Sequence, residues 1–231
     1  MKEAEIEAAW HGLASCSRCQ IQDLVLFADL TPEDFGAIHL PIDDLWLPPG
    51  AVLYRAETTQ TSLFTLREGL VKLEQYLPDG ARRIVSLAGA GDVIGLEAML
   101  GAPYEHDAVA LQPSKLCRIP TAVIQRLSPK LNQALMRKWH DSVRNAHACL
   151  RELSTGAARQ RVARLFLRLA PPEMRRCRLF GREDVGALLG VTTETASKTV
   201  AEFKRQGVIR EIAPNLFERD IDALNRIADG D

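Results

Sequence analysis

The sequence has no apolar run near the ~20 residues that a membrane-spanning helix requires, so a helical membrane protein is not expected. Its first residues, MKEAEIEAAWHGL, are acidic and lack the long apolar core of a secretory signal. The expected address is therefore the cytoplasm. Cysteine is scarce: five residues, an odd number at irregular spacing, which does not suggest the disulfide framework of a small secreted domain. At least some of these thiols should stay reduced or act as ligands. The five histidines (His11, His39, His106, His140 and His147) form no H-x-H pair, and most lie outside the strand-like segments, which argues against a metal-dependent enzyme of the cupin type. Internal repeats and low-complexity segments are absent as well.

What is present reads as a globular protein. The 231 residues suffice for one large or two modest domains, and 46% hydrophobic with 26% charged residues is ordinary. A net charge of −1 conceals an asymmetry. Residues 1–150 carry 14 Lys+Arg against 18 Asp+Glu, whereas residues 151–231 carry 15 against 12. Within 156–213 the count is 12 basic to 6 acidic, a balance suited to phosphates. Ordinary charge scatter on a solvated surface is the alternative.

Along the chain, residues 1–15 read as a short helix or arm, and Leu30–Leu40 as a small helix capped by Thr31 with Pro32 in its first turn. From Trp46 the pattern becomes short β-type runs punctuated by Pro-Gly, Glu-Gly, Pro-Asp-Gly and Ala-Gly-Asp, which predicts an antiparallel roll or sandwich over about 45–120. Pro78–Arg83 is the tip of a hairpin. The period then turns helical, with the longest helix over 131–155. Leu135, Trp139, Ser142, Ala146, Cys149 and Leu153 follow the 4-3 spacing of a coiled-coil seam, and Met136, Val143 and Leu150 mark an adjoining stripe. Two stripes need two covers: the chain's own roll and a partner helix, which gives a homodimer. Burial of the helix inside one large domain is the competing reading. Ser154–Gly156 is a hinge, and 157–170 is another amphipathic helix, interrupted by APPEMRRCR.

The most informative stretch is REDVGALLGVTTETASKTVAEFKRQGVI, Arg182–Ile209. A short helix over Asp184–Leu189 ends at Gly190, where glycine tolerates the left-handed backbone. Thr192 caps a second helix that runs from Thr193 to about Gln206 and stops at Gly207. This is the helix-turn-helix pattern. Ala196, Val200 and Phe203 face inward, while Glu194, Ser197, Lys198 and Ala201 share the opposite face. Such a face enters the major groove, where Glu194 accepts from a cytosine amine, Lys198 donates to guanine and Ser197 adapts; Thr192 and Thr193 flank them, and Lys204 and Arg205 suit phosphates. Taken singly, Glu194 also fits a helix start for dipole reasons, and Lys198 also fits as a solvated lysine. The hairpin after Gly207 reads as a wing.

The whole chain, over about residues 16–225, resembles the CRP/FNR family of bacterial transcription regulators; PPGAVLYRAE, REGLVKL, GDVIGLEAML and GVTTETASKTVAEFKRQGVI stand in family order and spacing. The resemblance implies an α+β fold. An arm (1–29) leads to a cyclic-nucleotide-binding-like β-roll (30–130), a dimerisation helix and hinge (131–156) and a winged helix-turn-helix (157–231). It implies a non-enzymatic homodimer that reads double-stranded DNA at palindromic TTGA-like half-sites and meets RNA polymerase. Glu194, Ser197 and Lys198 fall on its base-reading positions. The family usually has arginine at Lys198, and lysine lacks the bidentate fork, which relaxes the expected preference.

The effector is read the same way. Cyclic-AMP members bind phosphate with an Arg-Ser pair where this chain has His106 and Asp107, and a carboxylate there repels phosphate, so cyclic AMP is not expected. Glu97 matches the ribose-holding acid and reads as structural. The FNR branch holds a [4Fe–4S] cluster with four cysteines. Cys16, Cys19 and Cys117 match three of them, but the third N-terminal position is Val25, which cannot ligate. Asp23 or His11 is the candidate substitute. Direct thiol switching, a haem or other small-molecule effector in the roll, and no cofactor at all stay open, as does an inert C-x-x-C pair.

Overall fold

The computed structural model describes residues 42–59, 61–126 and 128–230, with Leu26, Thr31 and Asp34 isolated before them; side chains of 128–130 are not included. The expected arm and the 30–40 helix otherwise lie outside the described residues. Thr31 and Asp34 do interact: the Thr31 amide and hydroxyl both donate to Asp34 Oδ2 at 2.8 Å.

Eight short strands make the N-terminal roll: β1 (Asp43–Leu47), β2 (Val52–Tyr54), β3 (Ser62–Glu68), β4 (Val71–Tyr76), β5 (Arg82–Ala88), β6 (Val93–Ile94), β7 (Asp107–Ala110) and β8 (Ser114–Pro120). They form two four-stranded sheets, in the orders β1-β8-β3-β6 and β2-β7-β4-β5. Alternation sorts the side chains. Phe64, Leu66, Val71, Ala108 and Leu116 join Tyr54 and Tyr104 in one core, while Leu63, Val93, Cys117 and Ile119 point the other way, into a second core with Leu26, Ile124 and Leu131. Gly69 could be nothing else: it sits at φ +97°, and a Cβ there would fall 2.5 Å from the Pro113 carbonyl oxygen.

Two helices follow, α1 (Thr121–Arg126) and the 26-residue α2 (Ser128–Leu153). The two stripes of α2 separate here, and the expected seam needs correction. Leu131, Cys149 and Leu153 are buried in the chain itself and Leu135 packs half-buried on the second core. Ser142 is exposed, and the middle of the inward face is polar instead: Lys138 Nζ donates to the Gly91 carbonyl at 2.8 Å and Asn145 Nδ2 to that of Leu87 at 2.7 Å. Met136, Trp139, Val143 and Leu150 are left exposed along one line.

The C-terminal part contains α3 (Ala158–Arg168), β9 (Arg176–Arg178), α4 (Arg182–Leu189), α5 (Thr193–Arg205), β10 (Ile209–Ala213), β11 (Leu216–Arg219) and α6 (Ile221–Asp229), with strands ordered β10-β11-β9. Phe166 and Phe217 meet edge to face at 5.5 Å in its core. Arg219, 3% exposed, donates to the carbonyls of Phe166, Leu167, Ala170, Pro171 and Met174, closing the orphan carbonyl end of α3 and the turn beyond it. The described residues form two compact units. One includes residues up to 75 and 87–145; the other joins the hairpin tip, 76–86, to 146–231.

Candidate functional site

The helix-turn-helix is built by local chemistry. Helix α4 ends at Gly190, whose φ of +64° needs no Cβ, and its N–H returns to the Gly186 carbonyl. Gly186 itself lets the turn close, since a Cβ on it would lie 2.7 Å from the Val191 oxygen. The Thr192 hydroxyl then accepts from the Thr195 amide at 3.1 Å and caps α5. Ala196, Val200 and Phe203 are buried, which fixes the rotation of the helix; removing a ring such as that of Phe203 costs about 3–5 kcal/mol.

That rotation leaves Thr192, Thr193, Glu194, Ser197, Lys198, Ala201, Lys204 and Arg205 all exposed. The residues expected to read bases lie on one surface, with two basic residues at its far end. Two ion pairs were not legible beforehand. Lys198 Nζ meets Glu194 Oε1 at 2.6 Å, so the two base-reading candidates pair with each other in the protein alone. Lys204 Nζ meets Glu211 Oε2 on β10 at 2.6 Å, and with the Asn215 amide it holds the Glu211 carboxyl below the usual carboxylate range. Both pairs are solvated and weak enough to exchange for phosphate or base contacts. Sequence reasoning missed β9, the third strand of the wing sheet, which pairs through Cys177 opposite Phe217. It also missed Arg182, whose guanidinium lies 5.8 Å over the Phe217 ring.

In the roll, Asp107 is buried and already engaged: Oδ2 accepts from Arg55 at 2.6 Å and Oδ1 from the Ala56 amide at 2.7 Å. Glu97 accepts from the Glu105 amide at 3.2 Å. A cavity of about 370 Å³ in the roll is lined by Tyr54, Phe64, Tyr104 and Arg118, and by Arg55, the partner of Asp107. Burial, with the nearby Glu97 charge, pushes the Tyr104 phenol up to about 12.

Cys117 lies on β8, 7% exposed, with its Sγ 3.8 Å from Asp44 Oδ1 across the β1–β8 pair. It shares the second core with Leu26. Cys16, Cys19, Asp23 and His11 fall outside the described residues, and among the described residues no group of three or more His, Cys, Asp or Glu side chains is arranged to hold a metal. Cys117, Cys149 and Cys177 are buried thiols outside any disulfide.

Residues 45–129 match the family described as "Cyclic nucleotide-binding domain" and residues 160–227 the family described as "Crp-like helix-turn-helix domain". The chain is 28% identical over 205 residues to an anaerobic regulatory protein of Aggregatibacter actinomycetemcomitans, covering 84% of this chain and 80% of that one. It is 26% identical over 226 residues to the fumarate and nitrate reduction regulatory protein of Escherichia coli K12, covering 92% and 90%. Among solved structures, FixK2 from Bradyrhizobium japonicum shares the fold with a TM-score of 0.71 at 22% identity, covering 81% of this chain and 98% of that one. A CRP-family transcriptional regulator from Thermus thermophilus superposes with a TM-score of 0.69 at 25% identity, covering 80% and 97%.

Proposed function

This chain belongs to the CRP/FNR family of DNA-binding transcription regulators, and we propose that it works as a homodimer that reads palindromic, TTGA-like DNA in response to redox state. The observation that carries the DNA half of this reading is the exposed face of α5, where Glu194, Ser197 and Lys198 stand together on a helix rotated by its buried side. They are the base-reading residues, with Thr192 and Thr193 beside them and Lys204 and Arg205 on phosphates. The partner helix takes the exposed line of α2 (Met136, Trp139, Val143 and Leu150, with half-buried Ala146), a 3-4-3-4 heptad seam. RNA polymerase is the further protein partner. No described helix is long and apolar enough to cross a membrane, in keeping with a cytoplasmic DNA-bound role.

For the signal, we assign Cys16, Cys19 and Cys117. Two observations support this. Leu26, seven residues beyond Cys19, packs in the same core as Cys117. Seven residues extend to at most about 25 Å, a length that does not forbid Cys19 from meeting the third thiol. The curated relatives, moreover, are named for anaerobic regulation and for fumarate and nitrate reduction. An iron–sulfur cluster would supply oxygen-labile redox chemistry, held by these three thiolates and one non-cysteine ligand in place of Val25; thiol oxidation is the cluster-free form of the same switch. Cyclic AMP is not the expected effector: by the resemblance, Asp107, whose carboxylate accepts from Arg55, stands where the cyclic-AMP members have a phosphate-binding residue. The cavity floored by Tyr54, Phe64 and Tyr104 favours a second reading, a small-molecule effector in the roll.

Two measurements test this. Selection of duplex DNA from a random library with the whole protein should return an inverted repeat with half-sites one helical turn apart; no enrichment would defeat the DNA reading. Anaerobic iron and sulfide analysis, with thiol counting before and after oxidant, should reveal a cluster or a switch that Cys16→Ser, Cys19→Ser or Cys117→Ser removes. If all three variants keep unchanged oxidant-dependent DNA binding and no iron is found, the redox reading fails.

A further inference from the structure

The tip of the β4–β5 hairpin groups with the DNA-binding unit, and two adjacent arginines on it grip opposite ends of one helix. Arg82 Nη1 lies 2.7 Å from Asp184 Oδ1 and Nη2 lies 3.0 Å from Glu183 Oε1, both carboxylates in the first turn of α4. Arg82 and Asp184 are sheltered, with side chains 19% and 21% exposed, while Glu183 is solvated and contributes less. Arg83 reaches the other end of α4: a Cβ on Gly190 would fall 2.4 Å from Arg83 Nη1. Gly190 thus serves twice, by taking the left-handed backbone that starts the helix-turn-helix turn and by leaving room for a guanidinium against it.

We propose that Arg82 and Arg83 are positioning residues for DNA binding, a latch that fixes the first helix of the helix-turn-helix and offsets its acidic start. The inference rests on the DNA-binding reading above and adds two positioning residues to it. In a helix-turn-helix the first helix crosses the DNA backbone. Two carboxylates at its start suit the helix dipole but repel phosphate. Arg82 offsets up to half of that charge, chiefly at sheltered Asp184, without needing to touch DNA. The strand that carries the latch, β5, continues to Ala88 in the β2-β7-β4-β5 sheet. With these contacts made, the acidic turn is partly neutralised and α4 is held at both ends; without them, both effects are lost.

A double-mutant cycle on the full-length protein tests this, using a duplex selected by the wild type and read by fluorescence anisotropy across a salt series. Arg82→Ala should weaken binding about tenfold, in the lower part of the range for coupling between sites, while Arg82→Lys recovers part of the loss. In a Glu183→Gln/Asp184→Asn background, Arg82→Ala should cost far less, because the two carboxylates it offsets are gone. The slope of log affinity against log salt should stay that of the wild type; loss of a direct phosphate contact would lower it by about 0.9. Circular dichroism melting checks that the variants stay folded. Unchanged affinity in Arg82→Ala overturns the latch. An equal loss in both backgrounds overturns it too, since Arg82 would then act other than through Glu183 and Asp184. A wild type that selects no sequence defeats the DNA-binding reading itself, which a failed latch leaves standing.

Discussion

Replacing Leu150 with glutamate should convert the protein from dimer to monomer at concentrations where the wild type is paired. Leu150 is 65% exposed in the single chain, on the line with Met136, Trp139 and Val143. Complete burial of a leucine side chain contributes about 1.5–3 kcal/mol, so covering its exposed two thirds contributes about 1–2 kcal/mol. A two-fold interface uses the same residue twice, which makes about 2–4 kcal/mol per dimer. At 1.4 kcal/mol per decade, the dissociation constant should rise roughly 30- to 700-fold, before any repulsion between two facing glutamates. Sedimentation velocity over a concentration series measures this directly, and binding to a two-half-site duplex should fall with it. Leu135→Glu is the control: it faces the second core, so it should lower the melting temperature of the fold. If Leu150→Glu stays dimeric at the wild-type concentration while Leu135→Glu gives a folded monomer, the assignment of the two faces is reversed.

Lys198→Ala should weaken specific DNA binding by about 1–3 kcal/mol and relax one base position in a selected-site profile; an unchanged profile would put the register of α5 in error. In Lys204→Ala, binding to all sequences should weaken about equally. The Glu211 carboxyl, now held low by Lys204, should titrate closer to an ordinary glutamate by NMR. Because its folded value is the depressed one, the stabilisation from this pair is present above the ordinary glutamate range and is lost as pH falls through the folded value. Burial pushes the Cys177 thiol up to about 11, so it should resist alkylation at pH 8 in the folded protein and react only on unfolding.

The parts legible in the sequence are those where one local rule decides. Gly190, Thr192 and the 3-4 spacing of Ala196, Val200 and Phe203 fix a turn, a cap and a helix rotation within about twenty residues, and the structure has all three. The strands of the roll follow from alternation and turn residues in the same way. Features that depend on distant chain segments were not legible. Strand β9 is three residues long and exists because β11 pairs with it. The Arg219 clamp looks like one more basic residue until five carbonyls surround it. The ion pair between Lys204 and Glu211 needs the wing folded back beside α5.

Helix α2 shows why a clear periodicity can still leave a face undecided. A strict 4-3 pattern drifts about 20° per heptad on a straight helix, so over its 26 residues a seam wanders by roughly 70°. The stripe Leu135, Trp139, Ala146, Cys149 and Leu153 and the stripe Met136, Trp139, Val143, Ala146 and Leu150 share two members, and hydrophobicity alone cannot rank them. What separates them is the roll. Its backbone presents the carbonyls of Leu87 and Gly91, and Asn145 and Lys138 are the side chains that satisfy them. Those two polar residues, absent from any apolar count, set the rotation of the middle of the helix. Cys149 and Leu153 then turn into their own chain. The exposed line with Leu150 is left as the face a second copy can cover.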